Sequence, residues 1–147
     1  MTPWQDIFLR LGMAALIGGA IGLNRDLHHK PSGLRTLALV GLGAALAMMA
    51  ATGSSTDPSS AGRVLQGILT GVGFIGAGVI VHEAATNKVH GLTTAAAIWV
   101  TACLGAVCGQ GSWPIAVVAS VIVAFVLWAG GPIEKAIHKR FSGDDPA

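Results

Sequence analysis

The stretch GVGFIGAGVIV, Gly71 to Val81, contains G-x-G-x-x-G at Gly71, Gly73 and Gly76. A dinucleotide-binding turn uses that spacing, but only between a strand and the start of a helix, where pyrophosphate reaches free backbone N–H groups. Here the glycines lie inside an apolar run that begins at Val64, with no strand pattern ahead of it. The run reads as a membrane-spanning helix whose glycines serve packing. On a helical projection Ile68, Val72, Ile75 and Val79 share a side that suits lipid. Gln66, Thr70, Gly73 and Ala77 form a second stripe, with Gly67, Gly71 and Gly78 beside it, and this small-residue side suits close helix contact.

The rest of the chain extends that reading. Charged residues make up 11% of the 147 residues and hydrophobic residues 52%, against roughly 25% charged in ordinary soluble domains. Five stretches approach the ~17–25 apolar residues a spanning helix needs: Ile7–Leu23, Leu34–Ala51, Val64–Val81, Thr93–Gly109 and Ile115–Gly130. The expected fold is an all-α membrane protein, a compact bundle of five transmembrane helices over residues 1–130, followed by a short amphipathic tail, 131–147. In that tail Pro132 suits a first helical turn, and Ile133, Ile137 and Phe141 repeat every four residues. Lys135, Lys139 and Arg140 would face lipid headgroups, with a partner-docking helix as the other reading. The first apolar run lacks the positive n-region and small-x-small site of a cleaved signal peptide, so it is read as a true span.

Charge sets the expected orientation. Seven of the nine Lys and Arg residues fall on one side: Arg25, Lys30, Arg35, Lys88, Lys135, Lys139 and Arg140. The positive-inside rule makes that side cytoplasmic, placing the N-terminus outside and leaving Arg10 and Arg63 there. Trp4, Trp113 and Trp128 fall at span ends, where indole rings favour the interface, whereas Trp99 is deeper and is expected to pack between helices. Asp6 and Arg10, four apart, suit a helical ion pair. Cys103 and Cys108 point in different directions on one helix and read as small buried residues. The net charge of +2, not gathered on one face, excludes nucleic acid as a partner.

Small residues recur on other spans. Gly12, Ala15, Gly18, Gly19 and Gly22 share a broad face of the first, and Thr94, Thr101, Gly105 and Cys108 a stripe of the fourth. Such surplus faces suggest a homodimer. Gly18, Gly22, Gly67, Gly71, Gly73 and Gly78 are the expected helix-packing glycines.

Three segments, GGAIGLNRD (Gly18–Asp26) with SGLRT (Ser32–Thr36), GVGFIGAGVI (Gly71–Ile80) and VHGLTTAAAIW (Val89–Trp99), occur in order between the spans. Together they resemble the N-terminal membrane domain of the MgtC/SapB family of bacterial inner-membrane proteins. Two departures stand out. Asn24-Arg25-Asp26 replaces a Glu-Arg-Glu-like triplet, and the chain is expected to lack the soluble C-terminal domain of larger members. The resemblance implies adaptation to low magnesium, virulence in pathogens, and restraint of the proton-driven ATP synthase, with magnesium transport as an older assignment.

The candidate partner- or ion-binding set is Asn24, Arg25, Asp26, Arg35, Thr36, Glu83, Thr93 and Thr94, with Lys88 and His90 from the same inner loop. Helix ends place these at one mouth of the bundle, where they would bind an ion, a lipid headgroup or a protein partner, or else serve only as a topology signal. His28 and His29 read as solvated loop residues; metal binding would need His82, His90 or Asp26 brought close. Mg²⁺ is held by oxygen ligands, usually with one or two carboxylates, and all seven acidic residues lie at span ends, in loops or in the tail. Conduction would have to use Thr70, Thr94, Thr101, Gln66 and carbonyls. No catalytic arrangement and no cofactor site is expected.

Overall fold

The computed structural model describes residues 2–54, 57, 59–83 and 88–141; at 54, 83, 88, 132 and 134–141 only the backbone path is described. Five helices and one small hairpin follow in order: α1 Pro3–Leu27, α2 Leu34–Ser54, α3 Ser60–Gly78, β1 Val81–Glu83, β2 Lys88–His90, α4 Leu92–Gln110 and α5 Trp113–Phe141.

α1 starts where expected from its sequence. Pro3 occupies the first turn, and Thr2 N donates to Gln5 Oε1 at 2.9 Å. Its end is less obvious. His29 N donates to Asp26 O and Lys30 N to Arg25 O, both at 3.0 Å, with His29 at φ 52°. This is the paired bonding that closes a helix through a left-handed residue, usually glycine. His29 takes that place here, and His28 Nδ1 lies 2.7 Å from Asn24 O.

α1, α2 and α4 form the tightly packed part of the bundle. A Cβ on Gly22 would lie 2.6 Å from Gly33 O, and one on Gly41 2.6 Å from Ala14 O. Gly18 faces the Leu37 carbonyl and Gly105 the Gly41 carbonyl, each too closely to admit a methyl group. These backbone approaches require the small residues that membrane helices use for association. Leu37, Ile98, Thr101 and Cys108 are fully buried between them. The expected stripe of Thr94, Thr101, Gly105 and Cys108 faces inward along α4.

α3 lies the other way round from the sequence reading. Val72 and Val79 pack against the core around Ile21, Leu37 and Ile98, Ile68 is half-buried, Ile75 is exposed, and a Cβ on the buried Gly76 would lie 3.5 Å from Ala95 Cβ. Gln66, Thr70, Gly73 and Ala77 are exposed, and a Cβ on Gly67, Gly71, Gly73 or Gly78 would meet nothing within 4 Å. Within the chain Val72 and Val79 pack, the small stripe faces out, and of the expected lipid-facing side Ile75 stays exposed. Trp99 differs too: it is 45% exposed on the outside of α4 rather than between helices.

Among the described residues four helices are long and apolar enough to cross a membrane, namely α1, α2, α4 and α5 over Trp113–Gly131. α3 is not among them, because Arg63, Gln66, Thr70 and six glycines dilute its aliphatic residues. The hairpin was not foreseen. It pairs Val81 with His90, His82 with Val89 and Glu83 with Lys88. Gly91 follows it at φ 92°, against the Val79 carbonyl, where a side chain would be strained and obstructed. α5 continues as one helix through Gly130, Gly131 and Pro132 to Phe141, so Pro132 opens no separate helix. The expected amphipathic face of the tail, with Lys135, Lys139 and Arg140, lies outside the described side chains.

Candidate functional site

Arg25 is the deepest charged group at the basic end. It sits in the last turn of α1 with 3% of its surface exposed. Its Nη2 donates to Thr94 Oγ1 in the first turn of α4, and its Nε donates to Pro31 O at 3.2 Å. An unshared guanidinium in such a place would be costly, and these acceptors offset part of the cost. No carboxylate pairs with it among the described residues.

Asp26, the next residue, points elsewhere. Its Oδ2 accepts from the backbone N–H of Leu34 at 2.9 Å, satisfying a donor at the start of α2. Its carboxylate fills the space a side chain at Gly33 would need. The 31–33 turn is therefore held from both sides, by Arg25 on the Pro31 carbonyl and by Asp26 on Leu34.

The other candidates separate. Asn24, half-buried, lines a groove between α1 and α5 with Ile17, Ser120 and Leu127. Arg35 and Thr36, both exposed, stand at one end of an apolar groove between α2 and α3. Thr93 is exposed beside the buried Thr94. Glu83 closes β1 opposite Lys88; both side chains lie outside the described ones. Among the described side chains Asn24, the Arg25–Thr94 contact and Arg35 with Thr36 all stand at helix ends but line different places, so they do not form one cluster. Sequence reading missed the Pro31 carbonyl and Gly33, although Gly33 lies within the SGLRT segment that carried the family resemblance.

At the opposite end Arg10 joins α1 to α4. Its Nη1 donates to Gly109 O at 3.0 Å, and its guanidinium covers Gly111, which ends α4 at φ 81°. Asp6 Oδ2 lies 2.8 Å from Nε as an ion pair without hydrogen-bond alignment. A cation at a helix C-terminus meets the negative end of the macrodipole.

Of the hydroxyls expected to line a cation path, Thr94 accepts from Arg25, whereas Thr101 donates to Ala97 O at 2.7 Å and Thr70 to Gln66 O at 2.8 Å, bonds that use the proton and leave the oxygen lone pairs. Among the described residues no three His, Cys, Asp or Glu side chains gather as a metal site.

Residues 11–136 match the MgtC family. The chain is 42% identical to protein SrpB of Synechococcus elongatus, over 84% of this chain and 74% of that protein. It is 40% identical to YhiD of Escherichia coli K12, whose provisional name calls it a magnesium transporter, over 83% of this chain and 59% of that protein. It is 42% identical to protein MgtC of Salmonella typhimurium, over 78% of this chain and 48% of that protein. The chain thus spans from about half to three-quarters of the length of these relatives. No solved structure matches it. With its long apolar helices and this match over most of its length, the chain is a multi-pass protein of the bacterial inner membrane and belongs to the MgtC family.

Proposed function

We propose that this protein is a non-enzymatic membrane modulator in adaptation to low magnesium, acting by helix–helix contact with another membrane protein. The observation that carries the reading is Arg25. A buried guanidinium, with no carboxylate paired to it among the described residues, stands at the basic mouth of the bundle and occupies Thr94. Fixed positive charge of this kind opposes cation passage. The name of one relative, YhiD of Escherichia coli K12, supports the link to magnesium, and the family resemblance makes the proton-driven ATP synthase the first partner to test.

The contact surface in this reading is the outward stripe of α3, Gln66, Thr70, Gly73 and Ala77, which is exposed along its length. A second copy of the chain is the occupant expected for a homodimer. α3 serves as the fifth crossing, its 19 residues spanning about 28 Å at 1.5 Å per residue, with the N-terminus outside and the C-terminus cytoplasmic. Gly73→Leu adds bulk where nothing lies within 4 Å. It should abolish growth at low magnesium at normal membrane abundance, and Arg35→Ala, on the exposed start of α2, should weaken it. Full complementation by Gly73→Leu would remove this surface from the function, and full complementation by Arg35→Ala would remove the exposed start of α2 from it.

A further inference from the structure

The groove between α2 and α3 has a use that helix contact does not explain. It encloses about 560 Å³ and is apolar along its walls except for Arg35 and Thr36 at one end. Its depth comes from missing side chains, since Gly43, Gly67 and Gly71 line it and an added Cβ on any of them would meet nothing within 4 Å. Along α2 the lining runs from Arg35 to Ala44, nine steps or about 14 Å at 1.5 Å per residue. That is close to half of the ~30 Å hydrocarbon core of a bilayer. A spanning partner helix would need the full thickness, whereas an acyl chain needs one leaflet.

The polar end fits the other part of such a molecule. Arg35 stands in the first turn of α2, is exposed, and has no ion pair among the described residues. Asp26, across the same turn, accepts from Leu34 N instead. We infer that this groove binds an anionic phospholipid, with one acyl chain along Gly71, Gly67 and Gly43 and the phosphate on the Arg35 guanidinium. Thr36 supplies a hydroxyl beside it. An acyl chain gains little by leaving other lipid tails for an apolar groove, so preference comes from the headgroup contact.

Native mass spectrometry of the purified full chain, titrated with phosphatidylglycerol and with phosphatidylcholine, tests this directly. Phosphatidylglycerol should bind about fivefold tighter, the effect of one interfacial cation. Arg35→Gln should erase the preference and Arg35→Lys retain it. Gly71→Leu, which fills the groove, should reduce binding of both lipids, while Gly12→Leu, equally unobstructed on α1, should not. Equal binding of the two lipids by the unaltered protein would overturn the site, as would a preference that survives Arg35→Gln or binding that survives Gly71→Leu. Cross-linking of Gly71→Cys to a second copy while lipid is displaced would overturn the site and assign the groove to protein instead. Lipid binding is read without any partner protein, so it succeeds or fails separately from the modulator role.

Discussion

Arg25 donates to the hydroxyl of Thr94, 69 residues away in sequence, and so ties the last turn of α1 to the first turn of α4. Thr94→Val keeps the shape of the side chain and removes the acceptor, leaving a buried guanidinium short of a partner. Melting in detergent should show a loss of about 1–3 kcal/mol, with Thr94→Ser close to the unaltered protein. In a double-mutant cycle with Arg25→Gln the coupling should reach about 1 kcal/mol or more, since the two side chains share one contact. Additive effects would mean that the contact does not hold the helices.

The glycines should divide sharply by location. Gly22→Ala and Gly105→Ala place a methyl group against a neighbouring helix backbone and should cost about 1–3 kcal/mol through overpacking. Gly67→Ala and Gly71→Ala have open space and should be neutral or stabilise by about 0.4–1 kcal/mol. Thermal unfolding of the four variants side by side checks the division.

Asp26 acts at a helix start, so its amide analogue should largely serve. Asp26→Ala should lower stability by about 1 kcal/mol, as loss of an N-terminal cap does, and Asp26→Asn by a fraction of that. The matching change on the other side of the contact, Gly33→Ala, collides with the carboxylate and should lower membrane abundance. Equal losses for Asp26→Ala and Asp26→Asn would mean that charge, not the accepted hydrogen bond, matters there.

A pH response should come from the connection between α2 and α3. Arg63 Nη2 donates to Asp57 Oδ2 at 2.8 Å and Ser59 N donates to Oδ1 at 2.9 Å. The Arg63 contact first, and then the Ser59 bonds, hold the Asp57 carboxyl below the usual carboxylate range. A carboxyl whose pKa is lowered by folding stabilises the fold above its unfolded value and loses that contribution as pH falls through the folded one. The melting difference between the unaltered protein and Asp57→Asn should therefore be small at about pH 6 and vanish by about pH 2, because the pair is exposed.

What the amino acids reveal here depends on what each contrast means in lipid. The inward stripe of α4 was legible because Thr94, Thr101 and Cys108 differ from the leucines and valines around them. On α3 the aliphatic and glycine faces are both tolerated by acyl chains, so periodicity located two faces without saying which one turns inward. The hairpin escaped notice because three-residue strands leave no measurable alternation. The candidate site was half legible for a geometric reason. Helix ends fix how far along the bundle Asn24, Arg25, Arg35 and Thr94 stand, but only packing fixes azimuth. That separates Asn24 and Arg35 from the Arg25–Thr94 contact.

Magnesium flux into liposomes containing only the purified protein separates a modulator from a transporter. Entry should be no faster than into protein-free liposomes, from a preparation whose gene still restores growth at low magnesium. Magnesium entry that rises in proportion to the protein incorporated would contradict the modulator reading and make the chain a transporter.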